Sequence, residues 1–145
     1  MIGLLQRVTE ASVTVEGQVI GKIGHGLLVF VAVHRDDEER DIVRLAERIL
    51  TYRVFPDAEG RMNLSVQDIS GDLLLVPQFT LTADTRKGTR ASFTKGADPD
   101  KASTYFDNLV ARCREQLNIV ETGQFGTNMK VALVNDGPVT FWLES

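Results

Sequence analysis

The stretch VNDGPVTFW, residues Val134 to Trp142, decides how the chain is read. MKVALV runs up to it and VTFWL leaves it, and both flanks are rich in β-branched and aromatic residues, as strands are. Gly137-Pro138 stands between them. Proline donates no backbone hydrogen bond and glycine weakens a strand, so the pair marks an edge strand, a bulge, or a place where backbone approaches a ligand or another chain.

The remaining strand signals precede it. GLLQRV leads into ASVTVEGQVIGKIG, which alternates around Val13, Val15, Val19 and Ile20, with Glu16-Gly17 or Gly17-Gln18 as the hairpin turn. GLLVFVAV, Gly26 to Val33, is a continuous apolar run of strand length, expected to be central and buried on both faces. DLLLVPQFTL, Asp72 to Leu81, is a further strand interrupted by Pro77, and NIVETGQFG is another. FPDAEGRMN, Phe55 to Asn63, is a turn-rich loop.

Two helices are expected. Asp36 caps the first, with Glu39 three residues on; Ile42, Val43, Leu45, Ala46, Ile49 and Leu50 share one face. Arg40, Arg44 and Arg48 recur on another face, read as solvated and paired with Asp36 and Asp41. Asp98-Pro99 caps the second, which continues through Ala102, Tyr105, Phe106, Leu109, Val110, Cys113 and Leu117. With 145 residues and neither linker nor repeat, residues 1–145 form a single domain. The expected class is α+β: a largely antiparallel, barrel-like β-sheet with two main helices.

Composition removes several classes of function. No apolar run reaches membrane-spanning length, and MIGLLQRV lacks the series of regions that makes a signal peptide. The single cysteine, Cys113, precludes an internal disulfide, and a cytosolic location follows. Net charge is −4, unlike a general nucleic-acid coat. DTRKGTRASFTKG, Asp84 to Gly96, sets Arg86, Lys87, Arg90 and Lys95 against Asp84 alone, so this window is +3 and the rest of the chain −7. Such a loop is either a steering device for a polyanion or solvated surface.

The usual catalytic inventories are missing. His25 and His34 have no metal-ligand spacing with Cys113, Cys113 lies on the apolar face of the second helix, and no glycine-rich phosphate loop or Ser-His-Asp order is present. What remains are two polar segments with internal prolines. One is PQFTL, Pro77 to Leu81, where Gln78 and Thr80 alternate with Phe79 and would share the face opposite it; the other holds Asn135, Asp136, Gly137, Pro138 and Thr140.

PQFTL and NDGPVT together resemble the two signatures of the D-aminoacyl-tRNA deacylase family, and QRV, ASVTVEG, RMNLSVQ, FTLTADTRKGTR, SFTKGADP and FWL extend the resemblance over essentially the whole chain. The family usually has serine at the position of Pro77. A sister branch has proline there but alanine in place of Phe79, so Phe79 and NDGPVTFW put this chain with the D-specific enzymes.

The resemblance implies a cytoplasmic homodimer, without metal or organic cofactor, that hydrolyses the ester of D-aminoacyl-tRNA and of glycine mischarged on alanine tRNA. Its active sites would lie at the subunit interface. A cis Gly137-Pro138 would reach from one subunit into the pocket of the other and reject L-aminoacyl groups with backbone. Gln78, Phe79 and Thr80 would position the ester, with the tRNA 2′-hydroxyl assisting the chemistry. Arg86, Lys87 and Arg90 are assigned to tRNA phosphates from charge alone. Two other readings are a non-catalytic module for the tRNA acceptor end and a Thr80-dependent hydrolase of small D-amino acid esters.

Overall fold

A computed structural model describes every residue from Met1 to Ser145. In chain order the elements are β1 (Ile2–Val15), β2 (Gln18–Ile23), β3 (Gly26–Ala32), α1 (Glu39–Thr51), β4 (Phe55–Pro56), β5 (Met62–Leu64), β6 (Asp72–Pro77), a 3-10 helix (Phe79–Thr82), α2 (Pro99–Arg114), β7 (Val120–Thr122) and β8 (Lys130–Glu144).

The long strand β1 organises the sheet. It pairs antiparallel with β2 through the two-residue Glu16-Gly17 turn, with β3 from Ile2↔Ala32 to Val8↔Gly26, and with β8 from Ile2↔Glu144 to Thr14↔Lys130. β6 lies parallel to β3, and β7 parallel to β6. Parallel neighbours need a crossover, and α1 and α2 lie in those two connections. The expected antiparallel pairings thus hold around β1, while the half of the sheet served by the helices is parallel, and the whole sheet is mixed.

The path β2-β1-β3-β6-β7 curls until its ends almost meet. A Cβ on Gly21 of β2 would stand 2.9 Å from the Thr122 carbonyl oxygen of β7, so only glycine permits this approach. Inside the nearly closed barrel lie Val8, Ala11, Val13, Ile23, Leu28, Leu74 and Val76. The larger core lies between the sheet and the helices and takes Leu27, Val29 and Val31 from β3 and Leu73 and Leu75 from β6. Alternation with period two therefore buries both faces of β3 and β6, as the unbroken apolar run of β3 requires.

Five local expectations change. α1 starts at Glu39 with Glu38 as its cap, not Asp36: the Asp41 carboxylate accepts the Glu38 N–H at 2.8 Å. α2 has the expected cap, with the Asp98 carboxylate accepting from the Lys101 N–H at 3.0 Å, but it ends at Arg114, short of Leu117. The loop from Phe55 contains the small β4-β5 hairpin. Only Val120–Thr122 of NIVETGQFG is strand. Finally, the last two strand signals are one fifteen-residue strand, β8, running through Gly137-Pro138. Two register shifts against β1, between Gln6/Val8 and Val8/Glu10, absorb the irregularity as bulges.

Candidate active site

A cavity of about 550 Å³ opens where β6 ends. Val76 and Pro77 form one wall, Gln78 and Phe79 the next, Ala97 comes from the segment before α2 and Pro99 and Ala102 from its first turn, and Phe125, Gly126, Thr127, Met129 and Val131 close the far side. This volume and mostly apolar lining suit a small-molecule moiety. Pro77 ends β6 beyond the last β7 pairing, Leu75↔Thr122, so its missing N–H leaves no ladder position empty; the Gln78 N–H makes the next bond, to the Val31 carbonyl, at 2.7 Å.

PQFTL is not a continuous strand, and Gln78 and Thr80 do not share a face by alternation. The chain turns into the 3-10 helix Phe79–Thr82. The buried Thr82 hydroxyl donates to the Phe79 carbonyl at 2.8 Å, and the Ala83 N–H donates to the Thr80 carbonyl at 3.1 Å. The Gln78 amide donates to the Thr80 hydroxyl. The turn thus brings Gln78 and Phe79 to the cavity, while Thr80 stands exposed outside its lining.

The strand pattern of the sequence takes in Phe125 and gives no sign of this far wall, whereas the structure places Phe125 in the loop between β7 and β8. Gly123 and Gly126, three residues apart, are the signal that marks a loop there. Met129 Sδ accepts the Gln124 N–H at 3.3 Å and holds this loop against the cavity.

Gly137-Pro138 is a cis peptide, with both residues exposed and Gly137 at φ +144. Two side chains replace the interrupted ladder. Asn135 accepts the Val139 N–H at 2.7 Å and donates to the Thr140 hydroxyl at 2.9 Å, spanning the proline. Arg7, at only 13% side-chain exposure, donates to the Asp136 carbonyl at 2.8 Å and to the Val54 carbonyl at 2.6 Å. The guanidinium fork therefore ties the β8 bulge to the segment after α1. In the sequence Arg7 reads as one more polar residue in a strand. Neither Gly137 nor Pro138 lines the 550 Å³ cavity of its own chain.

Arg86, Lys87 and Arg90 line a separate polar cavity of about 500 Å³ with Asp84 and Ser92. Paired Asp84 and Ser92 backbone bonds at 2.8 and 3.1 Å close the base of the loop. Arg86 bonds the Asp84 carboxylate at 2.5 and 2.9 Å, which holds that carboxyl well below the usual range and raises Arg86. Of the three cations only Arg86 has an ion-pair partner, so Lys87 and Arg90 carry the free charge.

No cluster of His, Cys, Asp and Glu has a metal-binding arrangement. Burial pushes the Cys113 thiol up to about 12, which leaves it protonated and inert.

A nearly closed mixed barrel backed by two helices is an architecture that recurs end to end in solved structures. The c-Myc DNA Unwinding Element Binding Protein superposes with a TM-score of 0.95 at 35% identity, covering 100% of this chain and 99% of its own. A probable eukaryotic D-amino acid tRNA deacylase shares the fold at a TM-score of 0.84 and 17% identity, over 99% and 98% of the two chains. In sequence, the D-aminoacyl-tRNA deacylases of Escherichia coli O1:K1 / APEC and Shigella boydii serotype 18 (strain CDC 3083-94 / BS512) are each 59% identical over 144 residues, 99% of this chain and 99% of theirs. The D-Tyr-tRNA(Tyr) deacylase family model matches residues 4–144, and the chain belongs to that family. No helix is long and apolar enough to cross a membrane.

Proposed function

We propose that the protein hydrolyses D-aminoacyl-tRNA to free D-amino acid and free tRNA, and that two copies build each site. Family membership supports the deacylase reaction. The observation that carries the shared site is the separation of its parts. Gln78 and Phe79 stand in the cavity, whereas Gly137-Pro138 projects, rigidly held, outside it. A second chain supplies the missing wall. The outer edge of β8 is unpaired, and Val134 and Trp142 on it are each 49% exposed, which suits a strand-edge contact between copies.

In this arrangement the partner's backbone is the chiral filter. An L side chain meets a wall that cannot rotate away, a D side chain points elsewhere, and glycine, with no side chain, passes. Glycine mischarged on alanine tRNA is therefore a substrate as well. The protein contributes position and hydrogen bonds, not a nucleophile. The Gln78 amide and the backbone near Phe79 and Thr80 position the ester and offer hydrogen bonds to the oxyanion. The ribose 2′-hydroxyl assists the attacking water; the acyl C–O bond breaks and the proton goes to the 3′-oxygen. Lys87 and Arg90, with Arg86, hold acceptor-end phosphates. On this reading the protein works in the cytoplasm.

The test is ester loss from D-Tyr-tRNA beside D-tyrosine methyl ester, which lacks the ribose. Acceleration of the first alone is expected. Tight tRNA binding without ester loss would leave only a binding module, and cleavage of the methyl ester would return the chemistry to a protein nucleophile.

A further inference from the structure

Between the two cavities stands an exposed aromatic pair. Phe79 is 60% exposed and lines the apolar cavity; Phe93 is 44% exposed and follows Ser92, which lines the polar one. Their ring centroids are 5.2 Å apart with planes inclined at 53°. The Gly96 N–H donates to the Phe93 carbonyl at 3.1 Å, and the Ala97 N–H to the Val33 carbonyl at 3.0 Å, so the segment carrying Phe93 is pinned to the sheet. Beyond Phe93 come the free charges of Lys87 and Arg90. Apolar cavity, aromatic ledge and cationic hollow thus follow one another across the surface.

That succession matches a single-stranded nucleic acid end: a terminal nucleoside in a pocket, the preceding base on an aromatic face, and its phosphates among cations. Two large exposed aromatics side by side have no use in the core. We propose that Phe93, buttressed by Phe79, is the stacking platform for the penultimate base of the unpaired tRNA 3′ end. This deepens the tRNA-deacylase reading and rests on it.

The experiment is equilibrium binding of two uncharged tRNA transcripts, one intact and one abasic at the penultimate nucleotide. Wild type, Phe93→Leu and Phe93→Trp are compared, and sedimentation gives each oligomeric state. One stacked base is worth about tenfold in affinity. The abasic site should therefore weaken wild type and Phe93→Trp about tenfold, while Phe93→Leu, about tenfold weaker from the start, should not distinguish the transcripts. An equal abasic penalty in wild type and Phe93→Leu, or no penalty in wild type, overturns the proposal. So does a change of oligomeric state in Phe93→Leu, which would assign the ledge to a second copy. Ester loss from D-Tyr-tRNA by the same wild-type preparation tests the deacylase reading separately: its absence alongside the expected abasic pattern removes that reading and leaves the platform.

Discussion

The Thr80 hydroxyl takes a hydrogen bond from the Gln78 amide and meets no histidine or carboxylate. Nothing there removes its proton. Thr80→Ala should therefore keep its deacylase activity apart from one positioning hydrogen bond, about 0.5–1.5 kcal/mol, slightly over tenfold at most. Single-turnover ester loss reads this, and a fall to the uncatalysed rate in a folded variant would restore Thr80 as nucleophile. Arg7 is the opposite case, a strand residue whose guanidinium holds two carbonyls. Arg7→Lys keeps the charge but cannot span both, so one of the two part-buried carbonyls loses its partner at a cost of about 1 kcal/mol. Urea unfolding should show this loss, and the D/L rate ratio should narrow as the wall loosens; an unchanged midpoint and ratio would refute the tie. At Gly137 an added Cβ would stand 2.6 Å from Val139 Cγ2 and 2.9 Å from the Val139 nitrogen, which explains why this position has no side chain. Glycine and proline betrayed this irregular backbone in the sequence. The role of Arg7 was not legible, because a side chain that bonds carbonyls 47 and 129 residues away leaves no local pattern.

At the scale of elements, legibility followed the length of the periodic signal. β3 and the apolar face of α1 were readable because their patterns persist over seven residues or more. PQFTL reads as strand because five residues cannot separate alternation from a 3-10 turn, and the deciding bond, Thr82 hydroxyl to Phe79 carbonyl, involves a threonine that suits a strand equally well. The α1 cap moves two residues because the Asp41 carboxylate takes the Glu38 N–H, while the Asp36 carboxylate bonds the Arg35 guanidinium instead. The basic loop was read from charge, and its use is testable. Reversing Arg86, Lys87 and Arg90 should weaken tRNA binding at low salt, with the difference shrinking as salt rises and counterions take over the phosphates. Unchanged low-salt affinity would make the loop ordinary solvated surface. Asp98→Ala should cost about 0.5–2 kcal/mol by removing the α2 cap, measurable as a fall in unfolding midpoint.

The whole molecule has a sheet that is closed on one side and open on the other. β2 and β7 meet, whereas β8 offers fifteen residues of unpaired edge. The barrel was expected from the number of strands, but its parallel half was not, since strand direction depends on what each connection crosses. Acid stability also belongs to the whole chain. Hydrogen bonds lower the carboxyls of Asp41 (from Glu38), Asp57 (from Asn63), Asp68 (from Ser65) and Asp84 (from Arg86). Lowered carboxyls give stability that is present above the ordinary carboxylate range and lost as pH falls through the lowered values. The urea midpoint should thus be flat above about pH 5 and decline below it, and a midpoint that rises on acidification would contradict this. Sedimentation should find a dimer at micromolar concentration, and a monomer that edits normally would exclude the shared site. The central claim is chirality enforced by backbone, and the most direct test follows ester loss from D-Tyr-tRNA, L-Tyr-tRNA and Gly-tRNA(Ala) side by side with the wild-type protein. The account predicts acceleration of the D and glycyl esters, with the L ester left at its uncatalysed rate; equal acceleration of D- and L-Tyr-tRNA would contradict it.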